Sequence, residues 1–241
     1  MDLTTQAITL KATDYKENDK LLLIYSVDLG KITVHARGIK KATAKLKFAG
    51  EPFCFGQFEL ACSHDRYTLK TCDQTESFYS LREDIVAFYA GCSILETLAV
   101  METEGQSNPQ VFVAVLKSLS QLAEGVNAQL VALHFVISYL ELCGYKLQPN
   151  LCATCQQRLD GKAYLDLSQG GFVCQNCQTP NAVVVSRPAK ALFDLLDGLP
   201  VEKLKNVNAT GNQIKECLQI LSTYLSYDFG KIKSLSELAK M

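Results

Sequence analysis

Four of the ten cysteines fall into two pairs, Cys152-Ala-Thr-Cys155 and, eighteen residues further on, Cys174-Gln-Asn-Cys177. This C-x2-C-x18-C-x2-C spacing lies in the range of four-cysteine zinc sites. Each C-x-x-C can turn both sulfurs toward one point, and two such pairs close a tetrahedron around one Zn2+. A closed tetrahedron keeps no position for water, so the chemistry expected of Cys152, Cys155, Cys174 and Cys177 is that of a structural staple, one zinc per chain, and not of a Lewis acid. Two disulfides or a redox C-x-x-C are the competing readings, although a redox pair needs no twin. The other six cysteines are scattered singly through apolar segments, as reduced thiols of a cytosolic protein are.

The second group is cationic. Net charge is −1, yet residues 31–50 carry Lys31, Arg37, Lys40, Lys41, Lys45 and Lys47 and no acid at all. A basic stretch on an otherwise mildly acidic chain suits contacts to phosphates, and a solvated face is the rival reading. No catalytic set accompanies it. G-x-S-x-G, P-loop, G-x-G-x-x-G and H-E-x-x-H are missing, and His35, His64 and His134 lie in different segments. Glu102 and Glu104, two apart at a helix end, do not face a common point and are expected to meet solvent. An enzyme is not expected.

The elements that must position these residues follow from periodicity. Residues 4–10, 20–27, 31–37, 53–62 and 67–72 are short runs rich in Leu, Ile, Val, Thr, Phe and Tyr, separated by turn signals such as Asp28-Leu-Gly30 and Ser63-His-Asp65. Five short strands in about eighty residues predict a small closed barrel, the OB-fold being the commonest of that size. In the third strand Ile32, Val34 and Ala36 alternate with Lys31, Thr33, His35 and Arg37, which places the basic residues on the polar face and in the loop beyond, lining one groove. Tyr25, Phe53, Phe55 and Tyr67 could stack bases if they point outward, but strand aromatics usually belong to the core.

From about residue 82 the period changes to 3.6. Ile85, Phe88, Tyr89, Cys92, Leu95 and Ala99 form one stripe, and Phe112, Val115, Leu116, Leu119 and Leu122 a second, opened by Ser107 or Asn108 with Pro109 in the first turn. Residues 128–143 are apolar on nearly all sides and predict a central buried helix, in which His134 is a hydrogen-bonded core residue. Two further helices follow the cysteines. The expected class is α+β and multidomain: an OB-fold barrel over residues 1–80, then a helical domain over 81–241 with a four-cysteine zinc module inserted at 150–185. With no signal segment and no apolar run of about 18 residues, a cytoplasmic protein is expected.

The order of parts resembles the RecO family of bacterial recombinational repair proteins. The resemblance rests on Glu17-Asn-Asp19, the strand over 21–26, Gly30-Lys31, Ala36-Arg37-Gly38 with Lys40-Lys41, and Pro52-Phe53. It continues with Gly144-Tyr145 leading through Pro149 and Leu151 into Cys152-x-x-Cys155, and with Gly230-Lys-Ile-Lys-Ser234. It implies an OB-fold on a helical domain, and a protein that binds single- and double-stranded DNA and anneals complementary strands. The implied partners are RecR and single-stranded-DNA-binding protein, with RecA, loaded onto single strands, as an indirect one. Family members usually carry an arginine after the late Lys-Ser, where this chain has Leu235; the cysteine quartet, degenerate in some members, is intact. A zinc-ribbon accessory protein binding RNA or polymerase would combine the same barrel and cysteines, and a redox or metal sensor would use the cysteines chemically.

Overall fold

In the computed structural model, which describes residues 2–64 and 66–241, β1 (Asp2–Tyr15) is long enough to pair with one strand along its first half and another along its second. Its first half pairs antiparallel with β4 (Phe55–Ser63), from Asp2 opposite Ala61 to Ile8 opposite Phe55. From Ala7 onward it pairs with β2 (Asp19–Ser26), and the register slips between Thr9 and Lys11. A bulge of this kind bends a strand, which allows one strand to turn a barrel corner. β2 pairs with β3 (Gly30–Ala36), β4 with β5 (Arg66–Glu76), and a short parallel pairing of Val34 with Tyr67 closes the barrel in the order β1-β2-β3-β5-β4. The expected OB-like barrel is therefore present. β1 runs five residues past its predicted end because Lys11, Thr13, Asp14 and Tyr15 are all exposed, which leaves no alternation for a reader of the sequence to see. Of the predicted turn at 63–65, Asp65 lies outside the described residues.

Leu22, Ile24, Val34, Phe58 and Leu60 are fully buried inside the barrel. Ile8, Leu10, Tyr25 and Phe53 face the other way and join the core of the helical part. Tyr25 stacks on Phe112 at 6.3 Å, and Phe53 meets Phe88 edge-on at 5.9 Å. Helix α1 (Ile85–Met101) lies between the barrel, α3 (Ala128–Leu142) and α6 (Lys233–Leu238), with α2 (Pro109–Ala123) beside α3. The face that α1 buries is not the large apolar stripe. Ala90, Gly91, Ser93, Ile94, Leu95, Thr97 and Leu98 are buried, whereas Ile85 is 63% exposed. Small residues win because neighbours approach closely here: a Cβ on Gly91 would stand 2.8 Å from the Phe53 ring. Ser93 and Thr97 can be buried because their hydroxyls donate to the Ala90 and Ser93 carbonyls at 2.7 Å.

The other helices follow the expected patterns. Asn108 caps α2, accepting from Gln110 and Val111 N–H with Pro109 in the first turn, and α3 is buried from Leu130 through Val136. His134 is a core residue whose Nε2 lies 2.6 Å from the Leu199 carbonyl, and burial first of all holds its pKa below the ordinary value. α4 (Arg187–Leu196) is capped by Ser186, and α5 (Gly211–Asp228) opens with a capping box of Thr210 and Gln213. Between α3 and α4, strands β6 (Ala163–Asp166), β7 (Gly171–Cys174) and β8 (Val183–Val185) form a sheet ordered β7-β6-β8. Leu165, Phe172 and Val173 are buried in the helical core, with Phe172 edge-on to Phe193 of α4 at 5.3 Å.

Candidate metal centre and nucleic-acid interface

The four predicted cysteines meet. The Sγ atoms of Cys152, Cys155, Cys174 and Cys177 all lie within 4.8 Å of one another, and Cys155 and Cys174 are 3.9 Å apart. Zinc–sulfur bonds of ~2.3 Å at tetrahedral angles set sulfur–sulfur edges of roughly 3.8 Å, so the group is the right size for a metal ion. Two knuckles bring it about. Gln156, at φ 58, turns the first pair, and its N–H donates to the Cys152 carbonyl at 2.9 Å; Cys177 N–H donates to the Cys174 carbonyl at 3.1 Å. Ala153 N–H donates to the Phe172 carbonyl at 2.8 Å, tying the first knuckle to the strand that carries Cys174. The buried Asp166 carboxylate accepts from Ser168 at 2.7 Å and from Thr179 N–H at 2.8 Å, fixing the turn and the exit from the second knuckle.

Cys152 and Cys177 do not ionise alike. Burial opposes ionisation of Cys152, but the N–H groups of Cys155, Cys174 and Thr154 outweigh it and bring the thiol down to about 6. Cys177 is pushed up to about 12, first by its hydrogen bonds to Cys174 and Cys155 and then by burial. Four sulfurs this close cannot all be thiolates without a cation among them. The donor set is thus one that could hold a metal ion.

The basic residues are brought together only in part. Arg37, Lys41 and Lys45 line a groove of about 520 Å3 between the β3–β4 connection and β5, with Lys70 on its far wall. Lys70 escaped the sequence reading because it lies in a different strand, and it pairs with Asp2 at 2.8 Å and Glu59 at 2.7 Å. Lys40 turns to Asp14 at 2.8 Å, and Lys47 donates to the Ala42 carbonyl at 3.2 Å. Among the described residues no carboxylate stands within ion-pair distance of Arg37, Lys41 or Lys45. Lys31 is elsewhere. Six residues of strand, roughly 20 Å, separate it from Arg37. Its ammonium donates to the Ala99 carbonyl at 2.9 Å, at the negative end of α1.

Two other expectations are resolved by the same geometry. Glu104 is exposed as expected, but Glu102 is only partly exposed. It accepts from the Tyr139 hydroxyl at 2.9 Å and the Tyr25 hydroxyl at 3.5 Å, and burial raises its pKa against those two bonds. Of the four aromatics weighed as stacking residues, Tyr25 and Phe53 are fully buried, and Phe55 and Tyr67 are partly buried against the two cores.

Comparison with known proteins decides the family. A profile described as Recombination protein O N terminal matches residues 1–80, and one described as Recombination protein O C terminal matches residues 82–236. The chain belongs to the RecO family. It is 30% identical over 226 residues to the DNA repair protein RecO of Bacillus pumilus (strain SAFR-032), covering 93% of this chain and 88% of the relative. It is 27% identical over 228 residues to that of Clostridium novyi (strain NT), covering 94% and 89%, and 28% identical over 233 residues to that of Clostridium acetobutylicum, covering 96% and 94%. Membership places the chain among proteins of DNA repair and recombination.

The motifs that carried the RecO resemblance turn out to be joints. Asp19, from Glu17-Asn-Asp19, accepts from Gly38 N–H at 2.7 Å with one oxygen and lies 2.7 Å from His35 Nε2 with the other. It therefore ties the β1–β2 hairpin to the start of the basic loop, and the Gly38 N–H first, then His35, holds its carboxyl below the usual range. Gly230-Lys-Ile-Lys-Ser234 ends on Glu96 of α1, which accepts from both N–H and hydroxyl of Ser234. Leu235, which follows this motif, is fully buried, so its apolar side chain fits the core into which α6 packs. No helix among the described residues is long and apolar enough to cross a membrane.

Proposed function

We propose that the chain is a non-enzymatic recombination mediator of the cytoplasm. It binds single- and double-stranded DNA through phosphates at the groove, anneals complementary strands, and helps RecR load RecA onto single strands coated by single-stranded-DNA-binding protein. The observation that carries the DNA reading is the set of exposed, acid-free cations Arg37, Lys41 and Lys45 in one groove, with Lys40 beside them. Lys70, on the far wall, can exchange an exposed carboxylate partner for a phosphate at little cost because solvent already screens the pair, and Lys47, in the β3–β4 connection, is exposed. Lys31 belongs to the joint with α1. The partners come from the family's general character. The resident metal at Cys152, Cys155, Cys174 and Cys177 is zinc in this reading, bound for structure, because four thiolates in a closed set favour a thiophilic ion and leave no ligand position open.

Contacts to phosphates release counterions, so affinity should fall with salt by roughly 0.7 to 0.9 log units per log unit of salt for each phosphate neutralised, with little dependence on base sequence. Changing Arg37, Lys40 and Lys41 together to Ala is expected to weaken binding to every DNA tested and to reduce the salt slope by about two to three units. Annealing should fall in parallel while metal content and circular dichroism stay unchanged. A folded triple variant with the parent's affinity and salt slope would move the DNA site away from this groove.

A further inference from the structure

We propose that Tyr15 is a base-stacking residue that gives the basic groove a preference for unpaired strands. This rests on the nucleic-acid reading above and deepens it. Tyr15 stands at the last position of β1 and is 39% exposed, whereas Tyr25, Phe53 and Phe58 are fully buried and Phe48, Phe55 and Tyr67 partly so. Its neighbours are polar. The His35 ring meets it edge to face at 5.3 Å and 88°, and the Lys16 ammonium stands 5.2 Å from its centroid. Lys16 itself is held at φ 54, a conformation that a lysine rarely adopts, so the hairpin tip that presents the ring has a defined shape.

That tip is fastened to the phosphate-binding loop at three places. Asp14, next to Tyr15, holds Lys40 at 2.8 Å. His35, against the ring, shares Asp19 with the N–H of Gly38. Lys40 N–H donates to the Asn18 carbonyl at 3.0 Å. A strand whose phosphates engage Arg37, Lys41 and Lys45, the cations with no carboxylate beside them, therefore runs next to an exposed aromatic ring with a cation beside it, which is the pairing of funnel and platform that single-strand binders use. Every base has a π-face, so the contact carries no sequence preference. Inside a duplex both faces of each base are already stacked, so the ring has nothing to receive there.

The chain contains no tryptophan, so Tyr15→Trp creates a single fluorescent reporter at the position in question. The full-length variant is titrated with an oligothymidylate, with an abasic deoxyribose-phosphate chain of equal length, and with a relaxed, covalently closed duplex circle, which has no ends. Quenching by the oligothymidylate alone is expected. Tyr15→Ala should then lose ~5- to 150-fold in affinity for oligothymidylate, the loss expected for one base–aromatic stack, and nothing for the abasic chain, while Tyr15→Phe keeps the parent's affinity for both. Equal quenching by the abasic chain, or an alanine variant that binds oligothymidylate as the parent does, overturns the proposal. So does a loss of the same size on all three ligands, which would make Tyr15 a structural residue. Failure of the parent protein to bind any of the three would remove the nucleic-acid reading itself, and this one with it.

Discussion

Replacing Cys174 by serine is expected to reduce bound zinc from about one ion per chain to near zero and to lower solubility at the same time. The other three sulfurs remain, but a hydroxyl is a poor substitute for a thiolate, and binding of a structural zinc is worth on the order of 10 kcal/mol in small modules, most of it folding free energy. The effect should not stop at the knuckles. Ala153 and Cys174 are held to one another through β7, and Phe172 of that strand packs on Phe193 of α4. Loss of metal therefore uncovers apolar surface on the helical part. Metal analysis and thermal melting of freshly purified, reduced protein check this. Parent protein carrying well below one zinc per chain, or a serine variant that melts with the parent, would defeat it.

Gly30→Ala is expected to be the most damaging exchange of a glycine for alanine in the barrel. The residue sits at φ +65, and an added Cβ would stand 1.9 Å from the Gln106 carbonyl oxygen and 2.9 Å from the Ser107 nitrogen. Those are backbone atoms of the α1–α2 connection, which cannot swing aside as a side chain would. Moving that connection also breaks the bond from Gly105 N–H to the Lys31 carbonyl at 3.0 Å. A cost of about 3 kcal/mol or more is expected, against roughly 1 kcal/mol for Gly125→Ala, where the φ is equally left-handed but nothing lies within 4 Å. For a chain of this length the difference is several degrees of melting temperature. If the two variants melt together, the clash is relieved in a way that the geometry does not allow for.

Much of this architecture can be read from the residues, and where it cannot the reason is physical. The alternation of Ile32, Val34 and Ala36 with Thr33, His35 and Arg37 survives into the barrel because this strand keeps one face toward water. The cysteine spacing was equally legible, since both knuckles are local turns. The buried face of α1 was not, because Ala90, Gly91, Ser93 and Thr97 are chosen for closeness and carry little hydrophobic signal. The partners of Glu102 come from Tyr25 and Tyr139, far away in sequence, and no local pattern announces them. Charge alone could not separate Lys31 from Arg37: the two share a strand face, and only the position of α1 sends the first to a helix end and leaves the second in the groove. Lys70 and Tyr15 were missed for a similar reason, since each gains its meaning from a loop that another strand delivers.

The four barrel residues that face the helices bear on how this protein can be cut. A fragment ending near residue 80 would keep its strand pairing and its inner core, yet it would carry Ile8, Leu10, Tyr25 and Phe53 bare on its outer wall. At roughly 1.5 to 3 kcal/mol for each large side chain returned to water, that amounts to several kcal/mol, comparable to the whole stability of a small domain. Such a fragment is a sticky half, prone to pair with itself or with other apolar surfaces, and mapping of ligands by truncation would report that stickiness as binding. Point substitutions on the outside of the intact chain are the safer way to divide its labour.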